Sequence, residues 1–225
     1  MQRPRYPTGE IAPQRQFKHF LIASAVAFLL QVSCTSHNQL IDITSLDPTI
    51  VVDLKYATAN NFVGQKLYSS NRCYLRRSTA ERLARVQQNL WKHGLGLKVW
   101  DGYRPLSVQW RMWELVQDTN YVADPRRGSR HNRGAAVDVT LVDSLGVELE
   151  MPTPFDDFSE RAKRDYPALS KAALEHREIL TKAMAAEGFV PLSSEWWHFD
   201  DPDWRKFPVL DIAVGNAMEG TLKQK

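Results

Sequence analysis

Cysteine is scarce in this 225-residue chain: Cys34 and Cys73 are the two present, and there is no C-x-x-C pair. That excludes a disulfide framework and argues against cysteine ligation of a metal. Long hydrophobic runs are missing as well. The most apolar stretch, Phe20–Leu30, is eleven residues, against the roughly 20 that a membrane-spanning helix needs. No internal repeat or low-complexity segment occurs. Net charge is also lacking once the first 33 residues are set aside. They hold Arg3, Arg5, Arg15 and Lys18 against Glu10, which leaves 25 basic and 25 acidic residues. The formal +3 of the whole chain therefore gives no support to a nucleic-acid partner.

What is present begins with the pattern of an export signal: basic residues, the apolar run, then small residues. Cys34 follows Gln31-Val32-Ser33, placed like the cysteine that becomes lipid-modified in bacterial lipoproteins. Val32 and Ser33 suit that pattern; Gln31 stands where leucine is usual. Plain signal cleavage and an uncleaved anchor are the alternatives. The expectation is a signal over 1–34, a polar tether over 35–45 and one domain over 46–225, a length ordinary for a single domain. The chain is expected to be exported to the periplasm or cell envelope, with possible membrane anchoring through lipidated Cys34.

Along the domain, Ile50–Tyr56 is β-branched and apolar and reads as a strand. Ser78-Thr79-Ala80-Glu81 has the form of a capping box, followed by Leu83, Val86, Leu90 and Trp91 at helical spacing. Leu95–Trp100 reads as a buried strand that runs into a turn at Asp101-Gly102-Tyr103-Arg104-Pro105. A second helix is expected from an N-cap at Ser107 through Val116, and a loop over Asp118–Arg130. In Ala135–Val142, Asp138 and Thr140 face one way and Val137, Val139 and Leu141 the other, so a half-buried antiparallel strand is expected. A hairpin turn at Asp143–Gly146 leads into Val147–Met151. A third helix starts near Ser170 and stops at Gly188. The fold class is α+β, an antiparallel sheet with helices packed on it.

Two clusters carry the chemistry. Ser129-Arg130-His131-Asn132-Arg133-Gly134-Ala135-Ala136-Val137-Asp138 is one; Glu195-Trp196-Trp197-His198 is the other. Together they offer two imidazoles and a carboxylate for a metal, with a second carboxylate beside them. That is the inventory of a catalytic zinc site with an open position and a general base. His131 and Asp138 are seven apart and would diverge on one straight strand, but Gly134 can supply the turn that unites them. Glu195 and His198, three apart, need a turn for the same reason. Taken singly, His131 reads as a surface histidine and Asp138 as a turn residue. His93 and His176 read as a helix-end histidine and an inert surface one.

H-x-x-G-x-A-x-D followed by E-W-W-H resembles the zinc D,D-peptidase superfamily. Lys55–Phe62 and Asp101-Gly102-Tyr103-Arg104-Pro105 narrow the resemblance to the D-alanyl-D-alanine dipeptidases, over about Leu46 to Asp200. The resemblance implies the fold shared with the hedgehog signalling domain, and one Zn2+ per chain on His131, Asp138 and His198. It implies Glu195 as general base and Arg104 as a fixed cation over the scissile group, where the residues alone allow a surface ion pair. It also implies a small dipeptide substrate. Tyr56 would border its pocket, Asp156 would hold its amino terminus and Ser129 its other end. Asp157, adjacent to Asp156, leaves that choice open. The activity implied is hydrolysis of D-Ala-D-Ala or related D-amino dipeptides in cell-wall peptide turnover. A D,D-carboxypeptidase or cell-wall endopeptidase and a non-catalytic zinc-binding module are the alternatives. The Lys55–Phe62 motif disfavours the first, and the retained Glu195 disfavours the second.

Overall fold

The computed structural model describes residues 39–119 and 121–214. The expected signal over 1–34 with Cys34, and the first part of the expected tether, lie outside the described residues. Among the described residues the fold has ten strands and helices: β1 (Leu40–Asp42), β2 (Val51–Val52), β3 (Tyr74–Arg76), α1 (Arg77–Trp91), β4 (Leu95–Asp101), α2 (Leu106–Leu115), β5 (Ala136–Asp143), α3 (Lys171–Ala186), β6 (Val190–Pro191) and β7 (His198–Asp200). A five-stranded sheet runs β2-β4-β5-β7-β6, antiparallel except where β2 pairs parallel with β4. β1 and β3 form a separate antiparallel pair.

β5 is the spine. Val137, Val139 and Leu141 point into a core shared with Leu97 and Val99 of β4, Leu83, Val86 and Leu90 of α1, and Leu180 and Met184 of α3. Each such fully buried aliphatic side chain contributes roughly 1.5–3 kcal/mol. The opposite face was expected to be half open. Instead Asp138 and Thr140 are buried too, because Phe155, Trp100, Trp196 and Trp197 close over that side in edge-on and tilted ring contacts. The β4–β5 register shifts between Val99 and Asp101, so Asp101 rather than Trp100 stands opposite Asp138. A bulge of this kind re-aims the side chains after it, and here it turns Asp101 toward the site.

Several boundaries differ from expectation, each for a tertiary reason. The folded part starts inside the expected tether: Leu40, Ile41 and Ile43 are buried. Of Ile50–Tyr56 only Val51–Val52 pairs, and Lys55–Ala57 is a 3-10 turn. Ser78 is not an N-cap. α1 begins at Arg77 directly from β3, its first N–H donating to Gln39 O at 2.9 Å. Ser107 is not one either; its N–H and hydroxyl donate to Asp211 Oδ1 at 2.8 and 2.6 Å, so the side-chain carboxylate of Asp211 caps α2. Val147–Met151 returns along β5 with one bridge, Val142 to Glu148. α3 begins as expected, Ser170 Oγ accepting from Ala173 N at 3.0 Å.

Candidate metal centre

His131 lies in a 3-10 turn, His131–Arg133, which ends at Gly134 with φ +66°. That left-handed backbone suits glycine, and a Cβ there would stand 2.6 Å from Leu40 Cδ2. The turn folds His131 back over the start of β5, placing Nε2 3.4 Å from Asp138 Oδ2. β7 delivers the third residue. Its register sets His198 opposite Asp138, so both side chains share one face. His198 Nδ1 lies 2.9 Å from Asp138 Oδ1 and 3.2 Å from His131 Nε2. All three donor atoms fall within 4.8 Å of one another. Glu195 precedes β7 in the required turn, its Oε2 3.9 Å from His198 Nδ1. Trp196 and Trp197, fully buried, pin that turn.

The far nitrogen of each ring is tied down. His131 Nδ1 lies 2.8 Å from Gly102 O, and His198 Nε2 lies 2.9 Å from Asp200 Oδ1. With the far N–H donated, each ring turns a lone pair toward the shared point, the arrangement that orients metal-ligating histidines. Asp200 is itself ion-paired to Arg130 at 3.2 Å, and Arg130 lies over the Trp204 ring.

Electrostatics mark the same point for a cation. Burial disfavours charge on His198, but Asp138 and Asp200 outweigh it and raise the imidazole to about 10. Burial likewise opposes ionisation of Asp138, yet His131 and His198 hold its carboxyl low. A proton there does what a divalent metal would do better, and two imidazoles with one carboxylate fit such an ion. Burial lifts the Glu195 carboxyl above its ordinary range, with Asp138 adding to the effect against His198, His131 and Arg104. A carboxylate made more basic in this way suits proton transfer.

The site opens into a cavity of about 350 Å³ lined by Tyr56, Arg104, Ser129, His131, Asp138, Asp156, Glu195 and His198 among others. The structure thus brings every sequence-expected domain residue to one place. Arg104 is no surface ion pair. Its Nε and one terminal nitrogen donate to Asp101 Oδ2 at 3.1 and 2.7 Å, and the other donates to Gln109 Oε1 at 2.9 Å. Burial works against its charge, and Asp101 more than offsets this. Tyr56 donates to Asp156 Oδ2 at 3.1 Å. Burial, then Asp138, raises the Asp156 carboxyl well above its usual range. Asp157 instead accepts from Ser159 N at 2.8 Å in a local turn, which favours Asp156 as the cavity acid. Ser129 borders the cavity with its hydroxyl on Asn132 Oδ1 at 3.0 Å.

Sequence reasoning missed the supporting residues. Asp101, fully buried, accepts from Arg104 and from Tyr68 at 2.6 Å. Asn132, also buried, donates to Arg104 O at 2.8 Å. Asp200 carried a signal: two residues past His198 on a strand, it must share that histidine's face.

A buried His-Asp-His group with a carboxylate poised beside it, opening into a small cavity of charged and aromatic side chains, defines a metallopeptidase site. Comparison with known proteins gives the class a narrower identity. The family model described as D-ala-D-ala dipeptidase, a peptidase family, matches residues 36–211, and the chain belongs to that family, which is metal-dependent. A relative from Escherichia coli (strain K12), named D-alanyl-D-alanine dipeptidase, is 38% identical over 172 residues, covering 76% of this chain and 89% of its own. One of the same name from Enterococcus faecalis (strain ATCC 700802 / V583) is 31% identical over 177 residues, covering 67% and 86%. A solved structure of VanYB in complex with D-Alanine-D-Alanine overlaps at a TM-score of 0.40 and 16% identity, covering 70% of this chain and 87% of that one.

Proposed function

We propose that the chain hydrolyses D-alanyl-D-alanine, or a closely related D-amino dipeptide, with one zinc ion held by His131, Asp138 and His198. The observation that carries this is the placement of Glu195 3.9 Å from His198 Nδ1, in a cavity small enough for a dipeptide and lined by charges of both signs. Zinc bound there would polarise the scissile carbonyl and make an attacking water acidic enough to react near neutral pH. Glu195 accepts the proton of that water and returns it to the leaving amine. Arg104 stabilises the negative charge that develops on the carbonyl oxygen. Asp101 and Gln109 already hold its guanidinium in place, so little reorganisation is needed.

Asp156, steadied by Tyr56, takes the free ammonium of the dipeptide, and Ser129 borders the other end. A half-buried acid facing the cavity favours a free amino terminus over the longer peptides of a carboxypeptidase. The segment from Arg15 and Lys18 through Phe20–Leu30 to Cys34 supports action outside the cytosol, on dipeptide released by cell-wall turnover. In cell fractionation, the full chain should accompany membranes.

The test is a mass-spectrometric assay of the purified chain with D-Ala-D-Ala, L-Ala-L-Ala and a peptidoglycan pentapeptide. Preferential cleavage of D-Ala-D-Ala is expected. Preferential trimming of the pentapeptide would make the chain a D,D-carboxypeptidase.

A further inference from the structure

Four arginines line the catalytic cavity: Arg104, Arg127, Arg130 and Arg133. Three of them are committed. Arg104 is forked onto Asp101 and Gln109. Arg130 pairs with Asp200, and Arg133 donates to Phe207 O; both also lie over the Trp204 ring. Arg127 is different: among the described residues its side chain makes no hydrogen bond, ion pair or ring contact. The Asp124 carboxyl is held low chiefly by Arg126, which grips it at 2.8 and 3.0 Å, and Arg127 adds a smaller charge effect.

The loop presenting Arg127 is fixed. Arg127 N and Gly128 N donate to Asp124 O at 3.0 and 3.2 Å. Gly128 has φ +68°, and a Cβ on it would meet Val209 Cγ2 at 2.7 Å, so the backbone lies close against that side chain. One residue on, Ser129 N donates to Asn132 Oδ1 at 2.6 Å. The cavity thus has an uncommitted cation on a pinned loop, adjoining Ser129. Its acidic lining also includes Asp156, held by Tyr56.

We propose that Arg127 binds the C-terminal carboxylate of the substrate and makes a free carboxylate part of what the enzyme recognises. The inference rests on the dipeptidase reading above. A dipeptide is a zwitterion: with its ammonium on Asp156 and its scissile carbonyl beneath Arg104, the carboxylate still needs a counter-charge. Arg104 is already assigned to the carbonyl oxygen, and Arg130 and Arg133 are held by Asp200 and Phe207 O. A guanidinium suits the task because its planar fork matches a carboxylate in two hydrogen bonds.

The experiment compares kcat and KM for D-Ala-D-Ala and its C-terminal amide, in the parent zinc-loaded chain, Arg127→Gln and Arg127→Lys. Arg127 is exposed, so both variants should fold, and equal zinc content checks that the metal site is untouched. In Arg127→Gln, KM for the free acid should rise about tenfold or more, the worth of one charge-assisted hydrogen bond, with kcat little changed. The amide, which never had the ion pair, should be turned over as by the parent. Arg127→Lys should recover part of the preference and lose it with added salt, as a point charge does. If Arg127→Gln impairs acid and amide alike, or neither, Arg127 does not read the carboxylate. Should the parent fail on D-Ala-D-Ala altogether, the dipeptidase reading itself is wrong, a result distinct from an active parent indifferent to Arg127.

Discussion

Replacing Asp200 by alanine should loosen the metal without emptying the site. Asp200 Oδ1 holds His198 Nε2 at 2.9 Å while its other oxygen pairs with Arg130 at 3.2 Å. Without the carboxylate, His198 loses the partner that fixes which nitrogen faces Asp138 and that raises the basicity of the ring. Arg130 loses its ion pair and keeps its contact to the Trp204 ring. Loss of such an orienting partner typically costs about 10–100-fold in metal affinity, or roughly 1.4–2.7 kcal/mol at 1.36 kcal/mol per decade. Competition titration of the metal-free protein against a chromophoric chelator reads this directly, with the melting temperature of the metal-free form as a check on folding. Asp200→Asn, which keeps an acceptor but not the charge, should fall between the parent and Asp200→Ala. An Asp200→Ala protein that folds and binds zinc within twofold of the parent would refute the idea that this contact sets the ligand.

Two further outcomes follow from the site. Glu195→Gln should retain zinc and the fold while kcat drops roughly 100- to 10,000-fold, the usual cost of a lost general base; turnover within a few-fold of the parent would remove Glu195 from that role. N-acetylation of D-Ala-D-Ala should abolish turnover, because the ammonium disappears and the half-buried Asp156 carboxylate is left without its partner; rapid cleavage of the acetylated dipeptide would contradict the pairing.

The centre was legible in the sequence because its spacing has a mechanical meaning. Gly134, at φ +66°, is the bend that lets His131 reach Asp138, and the turn that Glu195 and His198 require is present before β7. The expected α+β class also holds, as does the third helix that starts near Ser170. What was less legible depends on partners far away in the chain. Capping was assigned to Ser78 and Ser107 from local pattern, but Gln39 and Asp211 satisfy those helix ends from 38 and 104 residues away. The burial of Asp138 and Thr140 depends on Phe155, Trp100, Trp196 and Trp197 closing over that face of β5, which no periodicity within β5 can report. Asp101 reaches the site through a bulge at Trp100, a shift of register that alternation alone does not announce.

The central claim is that a metal held by His131, Asp138 and His198 drives dipeptide hydrolysis, and one measurement addresses it most directly. Release of D-alanine from D-Ala-D-Ala should be followed in metal-depleted protein as zinc is added back in steps, for the parent and for His198→Ala. The parent should be inactive without metal and regain full turnover at one zinc per chain. His198→Ala should neither hold zinc at that ratio nor recover, since a three-ligand site cannot spare one. Full turnover by the metal-depleted parent, or by His198→Ala at one equivalent of zinc, would contradict the claim.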